Sequence, residues 1–448
     1  MPPETPGPGD HARTRTVLGW GRTRPVDASR VAPNDAASAA RYLRMASATI
    51  ARGRGRSYGD AAQLDGGLVL ATPHFDEIEM LDSSPGSIRV GAGVTIGQLI
   101  DRFVSDGWFV PVTPGTRVVT IGGAIAADIH GKNHHVDGSF IEFVDTMRIL
   151  TAAGEVVTTS RTENADLFWA TAGGMGLTGI IVDADIRLAP IESSKVKVLT
   201  ERTNDLAELM DRMKASDAEH HFSVAWVDLL TRGRSVLTQG RFATQAESDE
   251  LERPGAPALP LPVSRTPRAL HRSTVRAFNE LWWRKAPSTP STTLESITGF
   301  FHPLDAIANW HILYGAHGFL QWQIVVPDEA ESVMVDIVRQ IEAARAPGFF
   351  AVLKRFGAGN DAPLSFPKPG WTLALDLPAA DRSVPELLHR FDEQVVEASG
   401  RVYLAKDARM RGELVPRMYP RLDEWRTARD RWDPAHLFES DLSRRLGL

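Results

Sequence analysis

Apolar residues recur at helical spacing in the stretch 36–46, AASAARYLRMA, and again in 95–107, TIGQLIDRFVSDG, where Gly107 supplies a stop. Both predict amphipathic helices with one face against a core. Longer runs of the same kind, LAELMDRMKAS at 206–216 and ESVMVDIVRQIEAARA at 331–346, predict two more. Strands are expected where the apolar runs are short or alternate with polar residues: LVLAT from residue 68, the run that ends at Pro190, FLQWQIVVP at 319–327 and WTLALDLP at 371–378. Before Pro190 short strands and helices alternate. Beyond it the helices lengthen, in a texture that suits a second sheet with helices on one face. The fold class is therefore α+β, and 448 residues are enough for two domains. Near the C-terminus, Asp433-Pro434 stops a helix and Phe438 is placed to anchor the tail.

Three glycine-dense segments interrupt the first half. The first, ARGRGRSYGDAA at 51–62, is one that neither a helix nor a strand tolerates. Gly53, Gly55 and Gly59 permit positive φ and close backbone approach, so that successive N–H groups converge on an anion, while Arg52, Arg54 and Arg56 add charge. A Rossmann fingerprint would open a helix directly and place an acidic ribose partner about 20 residues later. Here Gly59, Asp60, Asp65, Gly66 and Gly67 lead into the strand LVLAT instead, which disfavours that reading. The second segment, 111–135, turns at Pro114-Gly115 and has a tight pair at Gly122-Gly123. Its Ala124, Ala126 and Ala127 are small enough for backbone to lie against a flat ring. In the third, 167–190, Gly173, Gly174, Gly176 and Gly179 precede an alternating strand. The set reads as a flavin diphosphate cradle with two further loops around one cofactor.

Composition removes several classes of function. A net charge of −6 argues against nucleic-acid binding, which needs a basic field to displace phosphate counterions. The chain has no cysteine, so disulfides, thiolate metal sites and a cysteine nucleophile are excluded. Pro and Gly in MPPETPGPGDHARTRT leave no room for the apolar core of a signal peptide, and no run reaches the roughly 18 apolar residues of a membrane span. Residues 1–12 are expected to be a disordered tail. The segment 253–293 is rich in Pro and Arg, with Arg272, Arg276, Arg284 and Lys285 near Phe278, Trp282 and Trp283. It is expected to be a mobile basic and aromatic loop, either touching an anionic membrane surface or acting as a flap over the active site.

The glycine segments resemble the vanillyl-alcohol oxidase/p-cresol methylhydroxylase superfamily of FAD enzymes. Within it, LGWGRT (18–23), RGRGRSYGDAA (52–62), PGTRVVTIGGAIAADIHGKNHH (114–135), GFLQWQ (318–323), APLSFPKPGW (362–371), AKDARM (405–410) and MYPRLDEW (418–425) look like the branch that acts on polyprenylphosphoryl-ribose. The likeness spans nearly the whole chain and is weakest over 192–300. It implies an FAD-binding domain at 13–194, a substrate domain at 195–400, and a segment 401–448 returning to the first. The implied reaction is oxidation of the C2 hydroxyl of decaprenylphosphoryl-ribose to the 2-keto sugar, with a separate NADH-dependent keto-reductase as partner completing epimerisation for cell-wall arabinan. The resemblance associates the chain with the inner membrane and its periplasmic face, whereas the absent export signal favours a cytoplasmic or peripheral location. Two competing readings are an alditol or aldonolactone oxidase of the same superfamily, and a non-catalytic subunit that binds flavin or lipid phosphate.

By the same resemblance FAD is non-covalent, because Tyr58 stands where many members bond the flavin through a histidine. The cradle assigned to FAD comprises Arg52, Gly53, Arg54, Gly55, Arg56 and Ser57, then Tyr58, Gly59, Asp60 and Ala61. The second loop contributes Gly115, Thr120, Ile121, Gly122 and Gly123, followed by Ala127, Asp128, Ile129 and His130. Gly176, Ile181 and Tyr403 complete the set. Oxidising a secondary alcohol takes hydride from carbon and a proton from oxygen, so a basic group must reach the hydroxyl. Lys406 in YLAKD is the candidate, with His130 and Tyr58 as the other catalytic residues. Desolvated, Lys406 accepts the proton or stays charged and stabilises reduced flavin; its competing role is a surface cation paired with Asp407. Lys132, Asn133, Gln321, Gln323 and Lys354 match substrate positions and suit a sugar and a phosphate. Trp322 replaces a tyrosine-like residue and so bears on the polyprenyl groove, and Ala374 falls where well-known members carry a cysteine. Among His130, His134 and His135, with Gly131 and Asn133 interspersed, no metal site is expected; the last two read as surface or loop histidines.

Overall fold

The computed structural model describes residues 13–253, 255, 271–307, 310–346, 348 and 350–448. The tail expected at 1–12 and most of 254–270 lie outside them. Strands Arg13–Val17, Val26–Val31, Leu68–Ala71 and Thr49–Arg52 lie side by side in that order. The last three are parallel, because helix Ala36–Leu43 carries the chain back between two of them. Asp35 and Ser38 close a capping box that starts this helix, the Ser38 amide donating to Asp35 at 2.6 Å. A second, antiparallel sheet orders Ser87–Gly91, Ile180–Arg187, Val144–Leu150 and Val156–Ser160. Against it, helix Ile96–Phe103 buries Ile96, Leu99, Ile100 and Phe103, as its apolar spacing requires.

The third sheet has eight strands, antiparallel throughout, drawn from residues 195–402. Its centre is formed by Phe222–Val227, Ala351–Phe356, Gly370–Pro378 and Phe319–Val326. Side chains alternate across a strand, and here the alternation separates two jobs. Ala225, Leu237, Trp322, Leu353, Leu373 and Leu375 share one core with helices Leu206–Ser216, Glu331–Ala343 and Val384–Glu397. Their neighbours in sequence, Val224, Trp226, Gln321, Gln323, Lys354 and Ala374, line a cavity on the opposite face. Trp322 therefore does not shape a substrate groove. It is buried on the helix side, where its Nε1 donates to Asp392 at 2.9 Å.

The chain end packs on the first sheet. Thr49 bridges to Phe438, which is fully buried, and Asp441 accepts from Gln63 Nε2 and the Asp65 amide.

The loop expected over 253–293 is corrected in two places. Residues Arg272–Lys285 form a 14-residue helix, and 291–293 begin the edge strand Ser291–Ser296. Val275, Asn279 and Trp283, four apart, face the protein, with Asn279 donating to Asp228 at 2.7 Å. A polar residue in the middle of the buried stripe hid the helical period. In the second glycine segment, expected to be a loop, the tight pair Gly122-Gly123 sits inside a short helix, Ile121–Ala126. Nor is His134 a surface residue: it is buried against Phe356.

Candidate active site

A cavity of about 1700 Å³ is lined jointly by the glycine loops and by the bare face of the eight-stranded sheet. That exceeds the roughly 300–1,000 Å³ of a site for one drug-sized ligand. At one end stands the segment 53–58. Gly55 has φ +63°, and a Cβ on Gly53 would sit 2.3 Å from Thr120 Oγ1, so both positions demand glycine. The amides of Arg54, Gly55, Arg56 and Ser57 find no protein acceptor among the described residues. A row of unpartnered N–H groups facing a cavity beside Arg54 and Arg56 fits a pyrophosphate. Ala61, Gly115, Thr120, Gly122, Gly123 and Ala127 line the same end, and Ile129, Gly176, Ile181 and Tyr403 also face the cavity.

At the middle, basic side chains converge. Lys406 Nζ lies 3.8 Å from the centroid of the Tyr58 ring. Its expected surface partner, Asp407, is instead fully buried and paired with Arg445. His130 contacts Lys354 Nζ through Nδ1 and Gln323 Nε2 through Nε2, both at 2.9 Å. Burial, with Lys354, His134 and Lys406 nearby, holds the imidazole well below its ordinary pKa, so it is neutral. A neutral imidazole has one acceptor nitrogen. Two donors cannot both be served, so either Gln323 turns its oxygen to the ring or Lys354 is a free amine accepting from Nδ1–H. Burial and the charges of Lys132 and Lys406 push Lys354 down to about 7, which supports the second arrangement. Lys406 is likewise lowered to about 7 by burial, offset in part by Asp376. These lysines keep part of their surface open, to the cavity rather than to bulk water.

Lys132 Nζ donates to Phe300 O and lies 4.0 Å from the Phe300 ring centroid; burial lowers it to about 8. Gln321 donates to Asp376 at 2.6 Å, and its buried Oε1 has no partner among the described residues, leaving an acceptor for a ligand hydroxyl. Beyond the basic group the cavity becomes apolar, between Val224, Trp226 and Val236 of the sheet and Phe278, Trp282 and Phe300.

Six expected site residues lie off the cavity. Arg52 spends its guanidinium on Ala62 O and Leu18 O, both at 2.6 Å, and Ile121 is buried in the core. Asp128, at φ +38°, accepts from Ser139, Asn360, Ser365 and the Ile141 amide. Asn133 is not a substrate contact, since its amide is committed to Pro111 O and Asp137. Gly59 and Asp60 face the Lys406 loop and Arg445 rather than the cradle. Asp376, pushed up to about 7 by burial, is the residue that sequence reasoning missed. A lone carboxylate in the apolar strand WTLALDLP was its signal. Among the described residues no group of three or more His, Asp or Glu is placed to hold a metal.

Residues 28–160 match a family model described as an FAD binding domain. The chain is 40% identical to decaprenylphosphoryl-β-D-ribose oxidase of Mycolicibacterium smegmatis, over 97% of this chain and 98% of that protein. It is 37% identical to an uncharacterized Streptomyces coelicolor protein over 79% of this chain and all of that one. Similarity to human Δ(24)-sterol reductase is 28% and covers 39% of this chain and 34% of the reductase.

Proposed function

The chain belongs to the decaprenylphosphoryl-β-D-ribose oxidase family of FAD-dependent oxidoreductases, and from that membership we propose that it oxidises the C2 hydroxyl of a polyprenylphosphoryl ribose to the ketone. The observation that carries this reading is one continuous cavity with three surroundings: an amide row for a pyrophosphate, a cluster of near-neutral lysines, and an apolar arm. A flavin dinucleotide, a sugar phosphate and a prenyl chain need those three in that order. A free polyol has no use for the third.

In this assignment residues 13–194 with 401–448 hold FAD and 195–400 hold the substrate. The backbone of 53–58 and the loops around Gly115, Thr120 and Ala127 hold the cofactor, which supplies the hydride acceptor when bound. It is non-covalent, Tyr58 offering no imidazole for the bond. Lys406, uncharged above a pH of about 7, takes the hydroxyl proton as the carbonyl forms. The Tyr58 ring face, 3.8 Å from Nζ, stabilises the ammonium that forms when the proton is taken. Neutral His130, held by Lys354 and Gln323, orients the sugar, and Gln321 Oε1 accepts from a second hydroxyl. Lys132 is the cation offered to the phosphate, and Lys354, itself a free amine, joins it by taking up a proton when the anion binds. The 2-keto sugar is then a substrate for a reductase, here an NADH-dependent partner that completes epimerisation. No helix among the described residues is long and apolar enough to cross a membrane, and we place the protein at the membrane surface through helix Arg272–Lys285.

Anaerobic absorbance of the purified protein tests the reading. A short-chain polyprenylphosphoryl ribose should bleach the flavin bands, xylitol should not, and denaturation should release FAD into solution. Bleaching by xylitol, or flavin that stays with the precipitated chain, would move the assignment to the alditol-oxidase branch.

A further inference from the structure

Tyr58 and Lys406 come from loops nearly 350 residues apart in sequence, yet their rings and charges meet within one short contact. What sets that contact lies on the far side of both loops. The Tyr58 amide donates to Ala405 O at 3.0 Å, and Gly59 lies so close that a Cβ there would fall 1.7 Å from Asp407 O. Behind this backbone contact stands Arg445, on the short C-terminal helix Asp441–Leu446. Its Nε and Nη2 donate to the two oxygens of Asp60, at 2.9 and 2.7 Å. Its Nη1 donates to Asp407 Oδ2 at 2.7 Å and to Met410 O at 2.8 Å. Asp60 lies two residues after Tyr58, and Asp407 follows Lys406. The side chains of Asp60 and Asp407 are 3% and 2% exposed.

A buried acid–base–acid cluster is a weak source of stability, since apolar residues of similar volume often do as well. A guanidinium fork does supply fixed geometry, because its N–H vectors admit one orientation of each carboxylate. The helix is itself fastened, by the Ser440–Ser443 capping box and by Asp441 to Gln63 and Asp65. Arg445 does not line the cavity. We infer that Arg445 is a positioning residue: by clamping Asp60 and Asp407 it sets the spacing of the two loops and so holds Lys406 over Tyr58 inside the cavity. The inference rests on the proposed role of Lys406 but is separable from it by experiment.

Tyr58, Asp376, Lys354 and His130 face Lys406 from the four elements around it. Of these, Asp376 raises its pKa, and burial lowers it. Loosening the clamp admits water, and because burial outweighs the pull of Asp376 the midpoint of Lys406 moves up whether the amine serves as base or as cation. Two readouts follow this. Trace acetylation of Lys406 against pH, read by peptide mass spectrometry, reports its midpoint without substrate; anaerobic flavin reduction by a short-chain polyprenylphosphoryl ribose reports rate.

In Arg445→Ala the acetylation midpoint should rise by about one pH unit or more. Flavin reduction should slow by about tenfold to a hundredfold, with substrate affinity little changed. Arg445→Lys, which meets one carboxylate at a time, should lie between. Wild-type midpoint and rate in both variants, with only a lower thermal midpoint, would overturn the inference. If Arg445→Ala fails to fold, Arg445→Lys and Asp60→Asn decide it on the same two readouts. If the wild-type flavin is not reduced by the substrate, the functional reading fails, while the acetylation arm still decides the clamp.

Discussion

The roles proposed for Lys406 and Lys354 follow from where these side chains are, not what they are. An amine near 10.5 in water is brought to about 7 in each case by burial, so both forms coexist at neutral pH. Lys406→Met should keep FAD, since the amine makes no part of the amide cradle, and should lower the rate of flavin reduction by about a hundredfold or more. Stopped-flow reduction beside the flavin spectrum measures both. For Lys354 the sign of the pH dependence is fixed by its depressed value. Between pH 7 and 10.5 the unfolded chain binds the proton that the folded chain has released, so stability rises with pH across that window and is least below it. In Lys354→Met part of that rise should vanish, as read by urea unfolding at neutral and alkaline pH. Ala374 lines the cavity directly opposite Gln323 in the sheet. With no thiol there, nitroaromatic inhibitors that bond a cysteine at this position should leave the intact mass unchanged, and Ala374→Cys should restore a one-to-one adduct.

Secondary-structure elements explain why some of these residues were legible and others were not. Glycine spacing marked the cradle because positive φ at Gly55 and close approach at Gly53 and Gly59 leave few alternatives, and helical periodicity marked 36–43, 206–216 and 331–343. Strand alternation was present in the sequence but unused: it assigns Gln321 and Gln323 to one face and Trp322 to the other, which the resemblance alone did not. Asp60, Asp128 and Asn133 could not be judged without partners distant in sequence, since a polar residue's role is decided by what it bonds. Asp392 shows the same long reach. It accepts from Trp322 in the sheet and from both nitrogens of the Arg409 fork, three residues beyond Lys406, and its side chain is fully buried. Replacing one member of such a buried pair leaves the other charge uncompensated, at a cost of about 3–5 kcal/mol. Asp392→Ala should therefore shift the urea midpoint well below wild type, whereas an exposed pair such as Arg426–Asp423 should tolerate loss of either partner.

At the scale of the whole molecule, the cavity and the surface charge meet on one helix. The chain carries a net charge of −6, yet Arg272, Arg276, Arg284 and Lys285 gather within the 14 residues of Arg272–Lys285. On its inner side this helix is fastened by Asn279 to Asp228 and by Trp283 Nε1 to Thr203 O. On its outer side Phe278, Leu281 and Trp282 are 42%, 70% and 42% exposed, at the spacing of a second apolar stripe. Phe278 and Trp282 also line the apolar arm of the cavity, so the arm opens where the basic, apolar surface is. A prenyl chain could pass from bilayer to cavity there without crossing water, which spares the cost of wetting its methylenes, about 0.8 kcal/mol each. Vesicles containing anionic lipid should therefore sediment the protein, and added salt should release it, because headgroup attraction is screened within about 8 Å at physiological ionic strength. Leu281 does not line the cavity, so Leu281→Asp should abolish sedimentation and turnover of long-chain substrate while leaving turnover of a water-soluble short-chain analogue intact. Unchanged sedimentation in Leu281→Asp would move the docking surface elsewhere, and loss of short-chain turnover would make this helix part of the catalytic cavity rather than its entrance.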